Sequence, residues 1–195
     1  MKFYLEEANL KRKNEAIEYI KEHNIYNSEP SGVSGLDDYI ENYEKWIEYL
    51  EQLKNKETCS TDRCLGKQYF LIREEDNKLV GMTNLRWDLN DWIEINGGNI
   101  GYSILPSERR KGYNKIQLYL CLLEAKKINL DTVLITALES NTGSIKSILS
   151  LGGKLINTTP YHKDKNQVLN RYSIDVNQSI KKYKEIYEKY IRKKG

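Results

Sequence analysis

The chain has 195 residues, 39% of them hydrophobic, and 31 Lys and Arg balance 28 Asp and Glu to a net charge of +3. That length suits one domain with a sizeable core. The charges are scattered, with no basic stripe interleaved with aromatics to call for nucleic acid, and no apolar run approaches the ~20 residues of a membrane span. Cys59, Cys64 and Cys121 form no zinc-like set with His23 and His162, so no metal is expected. Thiols without a signal peptide point to a reducing cytoplasm, which weighs against a Cys59–Cys64 disulfide.

Phe3-Tyr4-Leu5 reads as the opening strand, and Leu10, Ala16, Ile17 and Ile20 mark a helix after it. Asn27 to Gly35, with Pro30 and Gly32, is a loop. Ser34 is placed to cap the next helix, with Asp37 three residues on. That helix carries Leu36, Tyr39, Ile40, Tyr43, Trp46, Ile47, Leu50 and Leu53, a stripe of period 3.6 that reads as core. Residues 55–67 form a polar connector. Tyr69–Arg73 and Leu79–Arg86 then read as a hairpin turned by Glu75-Asp76-Asn77-Lys78.

Ile100 to Asn114 carries the strongest functional signal. A β-prone run stops at Pro106; Arg109, Arg110, Lys111 and Gly112 follow; then Ile116, Leu120 and Leu123 recur at helical spacing. The first amides of a helix lack internal acceptors and carry partial positive charge, so a strand, a basic glycine-containing turn and a helix start together suit a pyrophosphate. Asp131–Ala137 follows as a buried strand, Ile145, Ile148 and Leu149 as one face of a helix, and Gly152-Gly153 as its stop. Strand–helix–strand around Gly112 implies a parallel pair, and the hairpins imply antiparallel neighbours. The fold class is therefore α/β: a single domain over 1–176 with a mixed, mostly antiparallel sheet between helices. Residues 177–195, with Ile180, Tyr183, Tyr187, Tyr190 and Ile191 on one face, form an amphipathic C-terminal helix that either packs back or joins a homodimer.

The turn Arg109-x-x-Gly112-x-Asn114 resembles the acyl-CoA-binding motif of the GCN5-related N-acetyltransferases, Gln/Arg-x-x-Gly-x-Gly/Ala, with Asn114 as a departure. Asn141, Ser144 and Gly152 stand where that family places an Asn, a small residue and a helix-ending Gly. The run Tyr69–Gly153, about half the chain, resembles more narrowly a bacterial subgroup of acetyltransferases through Arg86, Leu89-Asn90, Gly97-Gly98-Asn99-Ile100-Gly101-Tyr102, Pro106-Ser107-Glu108-Arg109 and Arg171-Tyr172.

The resemblance implies acetyl-CoA as cofactor and direct transfer of its acetyl group to a small-molecule or peptide amine. Arg109, Arg110, Lys111, Gly112, Tyr113 and Asn114 would hold its phosphates, the backbone of Ile104 and Leu105 its pantetheine, and Asn141 and Ser144 the facing helix. Tyr39, Tyr43 and Trp46, on elements that wall the acceptor pocket in the family, and Arg86 become candidate substrate contacts. Where family members often carry a tyrosine acid, this chain has Ile148, so Tyr102 is the candidate acid and Glu94 or Glu139 the candidate base. Asp88 and Asp91 rank below these, and His162 reads as an exposed loop histidine. A CoA-binding regulatory module without turnover fits the same turn. A nucleotide-binding domain fits less well, because no G-x-x-x-x-G-K-[ST] or G-x-G-x-x-G is present.

Overall fold

The computed structural model describes residues 1–192. Seven strands, β1 (Phe3–Glu7), β2 (Leu65–Arg73), β3 (Lys78–Trp87), β4 (Ile100–Ile104), β5 (Thr132–Leu138), β6 (Lys154–Pro160) and β7 (Val168–Asp175), form two antiparallel sheets among these residues. The first has the order β1-β2-β3-β4 and the second β5-β7-β6. Six α-helices surround them: α1 (Lys13–Ile25), α2 (Tyr43–Gln52), α3 (Asp91–Asn96), α4 (Tyr113–Lys127), α5 (Thr142–Ser150) and α6 (Val176–Tyr187). Alternation along β2 explains the layers. Tyr69 and Leu71 join the cluster beneath α4, with Val80, Leu118 and Val133, while Phe70 and Ile72 join Ala16, Tyr19, Tyr43 and Trp46 beneath α1 and α2. Helix α4 is buried on most of its circumference because it packs on β3, β4, α5 and α6 at once.

The expected parallel neighbours β4 and β5 share no ladder. They touch only at one end, where Gly98 bridges Ile135, the Asn99 amide donates to Leu134 O at 2.7 Å, and Asn99 Oδ1 accepts from the Leu134 amide at 2.7 Å. A side chain there occupies the amide that a ladder would have used. Gly98 has φ +73°, and a Cβ on it would lie 2.4 Å from Leu134 O, so only glycine admits this contact. Beyond it the strands diverge and leave a cleft.

The long aromatic helix is divided. Leu36–Asn42 is a 3-10 turn, and α2 begins at Tyr43 after Asn42 leaves helical geometry at φ −139° and ψ 54°. Ser34 does not cap it: Gly35 precedes the turn in the left-handed region, and the Ser34 hydroxyl donates to Gln68 Oε1 at 2.7 Å. The connector is also shorter than expected, since β2 starts at Leu65. In the C-terminal segment, Tyr187 stacks on Tyr119 at 5.0 Å, Ser179 Oγ donates to Leu151 O at 2.7 Å, and the Arg192 amide donates to Phe3 O at 2.9 Å. The segment thus packs back on α4 and β1, and α6 ends at Tyr187. The last residues of the expected helix, 193–195, lie outside the described residues.

Candidate active site

The cleft between β4 and α5 is a cavity of about 350 Å³, lined by Ser28, Tyr102, Ile104, Arg109, Asn114 and Ser144 among others. The start of α4 faces it. Gly112 stands before the helix at φ +80° with nothing within 4 Å of where a Cβ would be, and no side chain caps the helix. The Lys115 amide donates to Gly112 O at 3.2 Å, which leaves the Tyr113 and Asn114 amides at the helix start for an external acceptor. Arg109 Nε donates to Ile104 O at 3.2 Å and its Nη2 to Ser28 Oγ at 2.7 Å, which ties the turn to the end of β4. Arg110, at φ +66°, is exposed along the same wall. An uncapped helix start, open space above a glycine and two guanidiniums fit a pyrophosphate.

Asn114 bridges the cleft. Its Nδ2 donates to Gly143 O at 3.2 Å and to Ser147 Oγ. Asn141 caps α5 through Oδ1, accepting from the Ser144 amide at 3.0 Å. Tyr102 reaches across from β4, with its hydroxyl 3.0 Å from Ser144 Oγ. Burial outweighs that hydrogen bond and pushes the Tyr102 hydroxyl up to about 12, so it keeps its proton at neutral pH.

Several expected cofactor contacts are differently employed. Leu105 is buried in the cluster beneath α1 and α2, and its amide donates to Val80 O at 2.9 Å, so its backbone donor is taken by the sheet. Tyr113 borders the cleft from a mostly buried position, its ring packed at a tilt against Phe3 at 4.8 Å. Lys111 turns away to Glu108 at 2.7 Å. That carboxylate also receives Arg73 at 2.7 Å and Lys78 at 2.9 Å. Burial would raise the Glu108 pKa, but the three cations outweigh it and hold it at about 2.

On the other side of Tyr102 lies a second cavity of about 380 Å³. It shares Glu29, Ser31, Tyr102, Asn141 and Ser144 with the first, and adds Arg86, Trp92, Thr136, Tyr161 and His162. A hollow of about 720 Å³ continues from it past Asn84, Arg86 and Trp92 toward Tyr39 and Tyr49. His162 packs edge-on against Trp92 at 5.1 Å and Tyr161 at 4.6 Å, and its Nδ1 is buried without a partner. Burial, then Lys163 and Lys165, lower its pKa below the ordinary value. A neutral imidazole on the cavity wall is competent to accept a proton.

The remaining expectations divide. Arg86 and Tyr39 line these spaces. Tyr43 and Trp46 do not: both are fully buried, Tyr43 donating to Asn9 O at 2.9 Å and Trp46 to Ser34 O at 3.1 Å, so they are core rather than substrate contacts. Glu94 lies outside the cavities, 53% exposed and 3.9 Å from Arg171, and Glu139 is exposed at the end of β5. Neither carboxylate lines the cavities described above. Trp92 carries no signal of its role in the sequence, and His162, expected as an exposed loop histidine, is partly buried on the cavity wall, because contacts between distant segments bring the two together. Ile148 is core.

No group of His, Cys, Asp and Glu among the described residues is arranged to hold a metal, and no helix among them is long and apolar enough to cross a membrane. Among solved structures, the ribosomal L7/L12 α-N-protein acetyltransferase in complex with coenzyme A matches at TM-score 0.67 and 14% identity, covering 90% of this chain and 96% of its own. The ribosomal-protein-S5-alanine acetyltransferase from Vibrio fischeri matches at 0.65 and 11%, with 90% and 94% covered. A spermidine N-acetyltransferase chimera, from Vibrio cholerae and hSSAT, matches at 0.62 and 14%, with 93% and 99% covered. At such identities these likenesses speak to the fold. No curated protein sequence matches the chain. The family model for the acetyltransferase (GNAT) domain matches residues 13–154, well over half the chain. The chain belongs to the GNAT acetyltransferases and is an acetyl-CoA-dependent N-acetyltransferase.

Proposed function

We propose that Tyr102 divides a cofactor cleft from an acceptor cavity, and that His162 and Tyr102 are the base and acid of direct acetyl transfer to a primary amine. The observation that carries this is the meeting of the two cavities at Tyr102, Asn141 and Ser144. Bound acetyl-CoA supplies an activated thioester. The start of α4, with Gly112, Arg109 and Arg110, holds its phosphates. His162, neutral because it is partly desolvated, takes a proton from the incoming ammonium at an imidazole nitrogen. Tyr102 keeps its proton through the neutral range and offers it at the end of the cleft where the two cavities join. The wall that brings His162 to the cavity is aromatic, from Trp92 and Tyr161, whose rings pack against the imidazole and hold it in place.

The C-terminal helix spends its apolar face on α4, which supports a catalytic unit complete within one chain. Free Cys59, Cys64 and Cys121 support a reducing, cytoplasmic setting.

The pH dependence of kcat/KM tests the assignment of the base. The lowered His162 pKa places the acid limb below 6.5, the ordinary histidine value. His162→Gln should remove that limb and cost about 100-fold in kcat/KM. Tyr102→Phe should lower kcat with coenzyme affinity retained. An acid limb that survives in His162→Gln contradicts the assignment.

A further inference from the structure

Arg86 is a poorly exposed cation with no anion. Its Nε is buried without a hydrogen-bond partner, and its guanidinium makes no hydrogen bond or ion pair among the described residues. The other sheltered arginines are satisfied: Arg12 by Glu6 and Glu15, Arg73 by Asp76 and Glu108, and Arg171 by Asn157 and Glu94 O. Burial lowers the Arg86 pKa, and the groups working the other way are the Cys64 thiol and the Tyr49 phenol. Burial raises the pKa of both, so both are neutral at pH 7. Asp38 and Asp62 line the larger hollow and Glu29 the smaller cavity, but none comes within ion-pair distance of Arg86, and Glu29 is paired with Lys163.

The cavity is shaped around this group. A Cβ on Gly97 would lie 3.1 Å from Arg86 Nη2 and 3.4 Å from Nη1, so the glycine leaves the guanidinium its room. The backbone holds the base of the side chain, with the Arg86 amide donating to Asn99 O at 2.7 Å and Asn99 Nδ2 donating to Arg86 O at 2.9 Å. An isolated, partly desolvated charge costs free energy, and a bidentate carboxylate is the partner its planar fork fits best. One guanidinium also matches the single charge of a carboxylate, whereas a polyamine would add a cation beside it.

We infer that Arg86 receives the carboxylate of the acceptor, so that the substrate class is the free amino acids, held by the carboxylate at Arg86 with the amine turned toward Tyr102 and His162. This inference rests on the acetyltransferase reading of the site. The polar residues Asn84, Asn96 and Thr136 line the same cavity, and its one carboxylate, Glu29, is already paired with Lys163.

The test compares each amino acid with its own carboxamide, in acetyl transfer and in thermal shift, for the native protein and for Arg86→Gln. At least one amino acid should exceed its amide in kcat/KM on the order of 10–100-fold, the value of a hydrogen bond to a charged group. Arg86→Gln should bring that ratio near one, remove stabilisation by the amino acid, and leave acetyl-CoA affinity unchanged. The ligand-free variant should melt no lower than the native protein, since an unpaired charge has left a sheltered site. Equal rates and equal shifts for acid and amide would overturn the inference, as would a preference that survives in Arg86→Gln. Failure of acetyl-CoA to bind at all would instead overturn the acetyltransferase reading, and the thermal-shift comparison would still decide the role of Arg86.

Discussion

The two sides of Tyr102 treat charge in opposite ways. Beneath the cofactor turn, Glu108 is buried and receives Arg73, Lys78 and Lys111. In the acceptor cavity, Arg86 Nε and His162 Nδ1 are buried without partners. A saturated cluster fixes a backbone; an unsatisfied one leaves hydrogen-bonding capacity for a ligand. Gln117 and His23 also hold unpartnered polar atoms, but both are fully buried away from the cavities, so the contrast applies where such a group also lines open space, as Arg86 and His162 do.

The comparison can be broken first at the core beside the acceptor side. Trp46→Ala should cost 3–5 kcal/mol of stability, measured by chemical denaturation, while KM for the amine stays unchanged in the folded fraction. A raised KM with little loss of stability would return Trp46 to the substrate pocket. Next comes the saturated cluster: Glu108→Gln should cost about 3 kcal/mol, because Arg73 loses a charged partner in a sheltered site. The native pKa of about 2 lies below the ordinary 4.5, so this stabilisation is complete above pH 4.5 and lost as pH falls through about 2. It is of order 3 kcal/mol. A stability profile that is flat over that window in the native protein, or as steep in Glu108→Gln, would contradict the role of the cluster.

The smallest expected effect is at Gly112. Its φ of +80° means that Gly112→Ala is strained although its Cβ meets nothing, so a loss of about 1 kcal/mol is expected. No change in melting temperature would mean that the turn relaxes. Gly112→Asp tolerates the same backbone better and directs a carboxylate into the phosphate position, so its effect should fall on acetyl-CoA rather than on stability.

What the sequence makes legible follows the same division. The cofactor turn is written in consecutive residues, Arg109 to Asn114, and its chemistry is mainly backbone chemistry, so a short motif carries it. The stripe through Tyr43 and Trp46 is legible as core for the same local reason, and that reading holds over the one suggested by family likeness. The acceptor cavity is assembled from β3, α3, β5 and the loop before β7. His162 resembles any loop histidine until Trp92 and Tyr161 are brought against it. Glu94 and Glu139 look like bases because carboxylates are chemically apt, but the first side chain leaves toward Arg171 and the second toward solvent. The separation of β4 from β5 is hidden as well, because one side chain, Asn99, takes the place of the expected ladder.

Calorimetric titration of acetyl-CoA into the native protein and three variants tests the division of the site most directly. The account predicts one site per chain, with affinity abolished in Gly112→Asp and retained in His162→Gln and Arg86→Gln. Loss of acetyl-CoA affinity in either of the last two, or its retention in Gly112→Asp, would contradict it.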